Sequence, residues 1–295
     1  MLPIKFLDKI VKGKILFNEP MSRHTSFRIG GEAEAFFLPQ DENDLLTALS
    51  FLEKERIPYY LLGNGTNILV SDKGLKGVVI KLGNQLKGFN PSVRSAKSGT
   101  SLPRLLSTLS RLGLSGLEKL AGIPGTVGGA IKMNAGIPYF SIGDAVKSVK
   151  VFRNGETLWI PKEEITFSYR DSSLKGFVIL EAIFQLTEDT PANIKKCQAK
   201  ILNQRKLLQP LRTYNAGCVF RNPPSMSAGE LLDKAGAKGM RQGGAYVSYK
   251  HANFIINRGD ATAQDVFSLI QKCKELVKEK FNIELQLEIE LWGEF

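Results

Sequence analysis

Two glycine-rich stretches hold the residues best suited to chemistry, and that chemistry is the holding of phosphate. Residues 122–136 read Gly-Ile-Pro-Gly-Thr-Val-Gly-Gly-Ala-Ile-Lys-Met-Asn-Ala-Gly, with five glycines in fifteen positions. Each interior glycine costs a helix or strand about 0.5–1 kcal/mol relative to alanine, so the run is expected to be neither. Backbone N–H groups in such a loop can hold phosphate oxygens without a cationic side chain. The candidates are Gly122, Gly125, Thr126, Gly128, Gly129 and Ala130, with Asn134 beside them. One such run reads equally well as a tight connection packed on its own core. A second stretch of the same kind, Gly63, Asn64, Gly65, Thr66 and Asn67, lies upstream, and two loops of phosphate-binding type suggest a dinucleotide. Neither is a G-x-G-x-x-G opening a helix, so the Rossmann fingerprint is absent.

The elements around the loops follow from periodicity. Residues 26–38 are a strand candidate broken by Gly30-Gly31, and 41–54 carry a helical apolar stripe with Asp41 as N-cap. Residues 59–62, 68–70 and 78–82 read as strands. The first loop therefore sits at a strand end, where open α/β sheets bind ligands. Residues 101–112 form an amphipathic helix closed by Gly113, and 146–160 a hairpin turning at Asn154-Gly155. Residues 177–184 read as an apolar strand, 192–208 as a basic helix stopped by Pro210, 228–235 as a short helix, 252–256 as a buried strand and 262–281 as a long helix. In 285–291, Leu285, Leu287, Ile289 and Leu291 alternate with Gln286, Glu288 and Glu290, which predicts one closing strand. The fold class expected is α+β, divided at 1–80, 81–200 and 201–295.

Composition excludes several classes. The 295 residues are 43% hydrophobic and 23% charged, ordinary for a globular protein. No apolar run reaches the ~20 residues of a membrane span, and the first residues lack a secretory signal pattern, so a cytoplasmic protein is expected. Cys197, Cys218 and Cys273 show no metal-ligand spacing, and with two histidines no metal site is expected. The net charge of +11 invites a nucleic-acid reading. The cations are spread along the chain without a basic block, which fits attraction of an anionic small molecule better.

Taken together, the motifs 24–31, 63–72, 116–136, Tyr169-Arg170, 215–223, 247–257 and the final Glu288 stretch resemble, in this order, the UDP-N-acetylenolpyruvoylglucosamine reductase family of flavoenzymes of bacterial cell-wall synthesis. The resemblance runs from Arg23 to Gly293. It implies a two-part FAD-binding lobe of the vanillyl-alcohol-oxidase type plus a C-terminal substrate domain, in the shorter form of the family. It implies FAD, with NADPH as reductant, and a UDP-sugar, UDP-N-acetylglucosamine enolpyruvate, whose C=C bond is reduced. A monomer without nucleic-acid or membrane partners is expected.

The resemblance also implies residue roles. Arg170 matches the arginine facing the enolpyruvate carboxylate, a task suited to a planar fork of fixed charge. Cys218 matches the proton donor, where better-known members carry serine; a thiol is a much stronger acid than an aliphatic hydroxyl and can serve. Glu288 matches a carboxyl that assists the enolate, although Leu287 stands where the family tends to have proline. Asn222 matches a substrate contact, and Lys250 is a weaker candidate for phosphate. Cys197 and Cys273 read as structural. Two alternatives remain open: an FAD-dependent oxidase or dehydrogenase of the same lobe acting on another substrate, and a basic nucleic-acid-binding protein.

Overall fold

The computed structural model describes residues 2–83 and 86–295. The chain divides into two compact units, one of residues 1–16, 35–64 and 77–204, the other of 17–34, 65–76 and 205–295. The expected boundary near 200 falls inside the helix Pro191–Leu208, whose residues change unit after Gln204.

The first unit has two cores. One lies under the helix Glu42–Lys54, where Leu45, Leu49 and Leu52 pack with Phe37, Val78 and Ile80. Asp41 caps this helix as expected, its carboxylate accepting from Asp44 N at 2.8 Å. The strand Tyr59–Leu62 runs parallel to Leu75–Lys81 with Leu62 opposite Lys81, so Lys81 stands beside the strand end that leads into Gly63. The second core lies against a five-stranded sheet ordered Glu156–Pro161, Val146–Arg153, Val178–Phe184, Ser95–Lys97 and Phe89–Asn90. Its Val149, Val151 and Phe184 pack with Leu105 and Leu109 of the helix Leu102–Leu112, which Gly113 ends in the left-handed conformation. The hairpin turns where expected, Asn154 and Gly155 both taking positive φ as a type I′ turn requires.

The second unit is built on the helices Ala228–Ala235 and Ala263–Phe281. Leu231, Leu232, Val266, Leu269, Ile270 and Val277 join Val219, Phe220 and Ile255 in one core. A three-stranded antiparallel sheet takes Arg241–Gln242, Ala245–Val247 and Ile255–Asn257, and Ile68–Val70 pairs in parallel with Glu290–Trp292. Asp72, at the end of one quoted motif, accepts from Ala263 N and Gln264 N and so closes the start of the long helix.

Four sequence expectations are corrected. The second glycine run does contain a helix, Val127–Lys132, capped by Thr126. The propensity cost is met by close packing: a Cβ on Gly128 would lie 2.8 Å from Ser98 Cβ, so only glycine admits this approach. The strand expected over 26–38 is confined to Glu32–Leu38, because Gly30 sits at φ 135° against Met21 and Val70. The closing strand of 285–291 is not continuous. Leu287 bridges Phe220 in antiparallel fashion, and pairing with Ile68–Val70 begins only at Glu290. Alternation reported burial at Leu285 and Ile289 but not this change of partner. The strand expected over 252–256 is likewise shortened to Ile255–Asn257.

Candidate active site

Within the first unit, the two glycine stretches meet. A Cβ on Gly63 would lie 2.6 Å from Thr126 Oγ1, and Asn64 Nδ2 donates to Gly125 O at 3.1 Å. Thr126 Oγ1 accepts from Gly129 N at 3.3 Å, Gly128 N donates to Ser98 O and Ala130 N to Thr126 O. The amides of Gly128, Gly129 and Ala130 are thus engaged in the short helix and its contact with Ser98. Gly122 and Gly125 lie outside the helix at φ 81° and 114°, in a loop conformation that side chains rarely adopt. Lys81 Nζ donates to the carbonyl of Gly63. Burial, with Lys87 nearby, lowers its pKa to about 8. A glycine loop with a cation at its base suits an anionic group such as a dinucleotide diphosphate.

Arg170 lies at the tip of a small hairpin in the same unit, where Phe167–Ser168 pairs with Asp171–Ser172. It is half-buried at φ 54°, a left-handed backbone that arginine rarely takes, and its guanidinium carbon lies 5.2 Å from the Tyr169 ring centre. The hairpin is tied down from beneath. Ser172 Oγ donates to Lys132 O at 3.0 Å, and Asn134 Nδ2 donates to Ser168 O at 2.8 Å. Asn134 Oδ1 in turn accepts from Gly143 N at 3.1 Å. Asn134 is only 6% exposed, so both ends of its amide serve the protein interior, and its own φ of 43° suits asparagine. Tyr139, two residues into the following turn, is fully exposed at φ 67°.

In the second unit, Cys218 follows Gly217, whose φ of 80° turns the chain sharply and whose α-carbon faces open space. Asn215 sets this turn: its Oδ1 accepts from Gly217 N at 2.8 Å, and its carbonyl accepts from Ser26 Oγ at 2.6 Å. Beyond Cys218 the backbone is clamped on both sides. Glu288 N donates to Val219 O at 2.8 Å on one side. On the other, Asn253 O accepts from Val219 N at 2.9 Å, and the Asn253 side chain both accepts from Phe220 N and donates to Phe220 O, each at 2.8 Å. Cys218 and Glu288 therefore lie on adjoining segments held in register, both partly accessible. Asn67 belongs here as well, its Nδ2 donating to Glu288 O at 3.1 Å and its carbonyl accepting from Glu290 N. Gly65 accepts from Ser26 N at φ 63°, with His24 O where a Cβ would sit, and Thr66 lies between these two anchored residues.

The other expected residues are placed as follows. Asn222 Oδ1 accepts from Ala228 N at 3.0 Å, at the start of Ala228–Ala235. Lys250 is exposed, with Nζ donating to Lys206 O at 2.5 Å. Cys273 is buried among apolar side chains, which pushes its thiol up to about 12 and makes it inert near neutrality. Cys197 is also pushed up, chiefly by burial. Sequence reasoning did not single out Lys81 or Asn253. The apolar neighbours of Asn253 in Ala252-Asn253-Phe254-Ile255 were the available signal, since asparagine within such a run is buried and must be bonded.

Comparison with known proteins sorts these observations. A profile of the UDP-N-acetylenolpyruvoylglucosamine reductase C-terminal domain matches residues 209–292, and an FAD binding domain matches 33–160. The UDP-N-acetylenolpyruvoylglucosamine reductase of Moorella thermoacetica is 45% identical, covering 96% of this chain and 95% of its own.

The chain belongs to this reductase family.

The Bacillus pumilus reductase is 42% identical over 96% of the chain. The crystal structure of UDP-N-acetylenolpyruvylglucosamine reductase from Thermus caldophilus superposes with a TM-score of 0.83 at 36% identity, covering 96% of this chain and 99% of that one. As a member of the reductase family the chain is an FAD-binding oxidoreductase. It has the plan expected from the sequence, an α+β fold with an FAD-binding part followed by the reductase family's C-terminal domain. Its glycine loops at 63–64 and 122–130 lie inside the matched FAD-binding segment, and Cys218, Asn253 and Glu288 inside the C-terminal one.

Proposed function

We propose that this protein reduces the enolpyruvyl double bond of UDP-N-acetylglucosamine enolpyruvate to give UDP-N-acetylmuramate, using NADPH, in peptidoglycan precursor synthesis. The observation that carries the reading is the register of the Cys218 and Glu288 segments, fixed by the 2.8 Å bond from Glu288 N to Val219 O. An acid and a supporting carboxyl become neighbours on one rigid edge. Bound FAD, which the two glycine loops would hold, would supply the hydride-transfer chemistry, with NADPH as reductant.

This chain's own residues then handle charge and proton. Arg170 pairs with the substrate carboxylate and stabilises the negative charge that grows on the adjacent carbon as hydride arrives. Its tip position and left-handed backbone are those of a residue held for use rather than for packing. Cys218 gives its thiol proton to that carbon, completing the reduction, and the thiolate regains a proton from solvent. Glu288 supports the enolate oxygen. Asn222 and Lys250 serve the UDP-sugar, and Gly63–Asn67, Gly122, Gly125, Thr126, Gly128, Gly129, Ala130 and Asn134 form or support the cofactor loops.

The protein acts as a cytoplasmic monomer without nucleic-acid partners. No helix among the described residues is long and apolar enough to cross a membrane, in keeping with a diffusible substrate. The test is turnover: NADPH consumption coupled to UDP-N-acetylmuramate formation supports the reading. Consumption that requires oxygen or an alcohol, and ignores the enolpyruvyl sugar, would contradict it.

A further inference from the structure

Lys81 is a largely buried cation with no ion-pair partner among the described residues. It ends the strand Leu75–Lys81, opposite Leu62, and points its ammonium at the carbonyl of Gly63, the first residue of the upstream glycine loop. Among the described residues no carboxylate lies within ion-pair distance, and the charge acting on it is the like charge of Lys87. One carbonyl dipole satisfies one of three N–H donors. Taking an ammonium out of water without a counter-charge is costly, and a lysine needed only to cap a carbonyl could be replaced by a neutral donor. The same loop touches the second one through Gly63 and Thr126 and through Asn64 and Gly125.

We propose that Lys81 is a cofactor-binding residue: its ammonium, held against the Gly63 carbonyl at the meeting point of the two glycine loops, is the counter-charge for the diphosphate of FAD. The inference rests on the flavin reading of these loops, and names for this chain the side-chain cation that backbone amides alone do not provide. Two consequences follow from the depressed pKa. In the apoprotein the unfolded state binds more protons than the folded one between about pH 8 and the ordinary lysine value, so the apoprotein gains stability as pH rises through that window. FAD binding runs the other way. A diphosphate beside Lys81 favours the charged form, so binding takes up a proton above about pH 8 and FAD affinity falls as pH rises.

The test strips the flavin and titrates FAD back, following quenching of flavin fluorescence at low salt, with riboflavin as the phosphate-free comparison. Lys81→Met should bind FAD about tenfold to a hundredfold more weakly at pH 7, the range of a hydrogen bond to a charged group. It should bind riboflavin as the wild type does. Lys81→Arg should stay close to wild type at pH 7 and lose the decline that the wild type shows from pH 7 to 9.5. Should Lys81→Met fold poorly, the wild-type pH series and its riboflavin comparison decide alone: a fall in affinity specific to FAD supports the proposal, and a flat series overturns it. Equal FAD binding by Lys81→Met and wild type also overturns it, leaving Lys81 a structural cap. Failure of the wild type to take up FAD at all would instead reject the flavin reading of the loops, and this proposal with it.

Discussion

Arg170 and Cys218 both stand on irregular segments, and each segment is held by one buried asparagine, but the two asparagines work differently. Asn253 clamps one short stretch: its carbonyl takes Val219 N and its side chain closes both hydrogen bonds of Phe220, as a neighbouring strand would. It is 1% exposed. Asn134 instead joins two separate pieces, Gly143 N and Ser168 O, and does so from a left-handed backbone at the end of the glycine run. The first arrangement builds a floor into the core of its unit. The second tethers a hairpin tip. The contrast predicts that the Asn253 clamp governs stability, while the Asn134 tether governs where a guanidinium sits.

Five substitutions at four positions probe that contrast. Arg170→Gln removes the charge itself and should slow reoxidation of reduced flavin by the enolpyruvyl substrate about 10²–10³-fold, with flavin reduction by NADPH unchanged in stopped flow. Equal loss in both half-reactions would remove Arg170 from the substrate carboxylate. Asn253→Leu leaves Phe220 N–H and C=O buried and unpaired, each worth about 1–3 kcal/mol, so chemical denaturation should show a loss of about 2–6 kcal/mol. A loss under about 1 kcal/mol would mean that the clamp is not structural. Asn134→Gly keeps the left-handed backbone and loses both tethers, whereas Asn134→Asp keeps the bond to Gly143 and sets a carboxylate against Ser168 O. Both should slow the substrate half-reaction, by up to about 10²-fold if the guanidinium shifts by an ångström, and Asn134→Gly, which leaves the buried Gly143 N–H unpaired, should also cost about 1–3 kcal/mol in chemical denaturation, less than Asn253→Leu. If Asn134→Asp behaves as wild type, the Ser168 bond does not position Arg170. Smallest is Thr126→Ala, which removes the cap of Val127–Lys132 and should cost about 1 kcal/mol in thermal unfolding.

Much of this was legible before the structure. The glycine loops announced themselves because clustered glycine has few uses other than close approach, and the helix Glu42–Lys54 carried both period and cap in its sequence, Ala263–Phe281 its period. What stayed hidden depended on partners distant in the chain. The helix at Val127–Lys132 exists because Ser98 leaves room only for glycine there. The closing segment alternates like a strand, yet it trades Phe220 for Ile68–Val70 partway, and periodicity carries no record of a partner. The apolar run around Asn253 signals a buried, bonded asparagine, but which groups Asn134 and Asn253 bond shows only once Ser168 and Phe220 are placed. Lys81 reads as an ordinary strand-end lysine until the strand Tyr59–Leu62 is set beside it.

Cys218, as proposed, supplies the proton that completes the reduction. The direct measurement is anaerobic stopped flow in the visible flavin band on Cys218→Ala, reduced with NADPH and then mixed with UDP-N-acetylglucosamine enolpyruvate. Bleaching should run at the wild-type rate and recovery should slow by about 10²–10⁴-fold, with Cys218→Ser restoring substantial activity. Recovery of Cys218→Ala at the wild-type rate would contradict it and move the proton donor elsewhere in the chain.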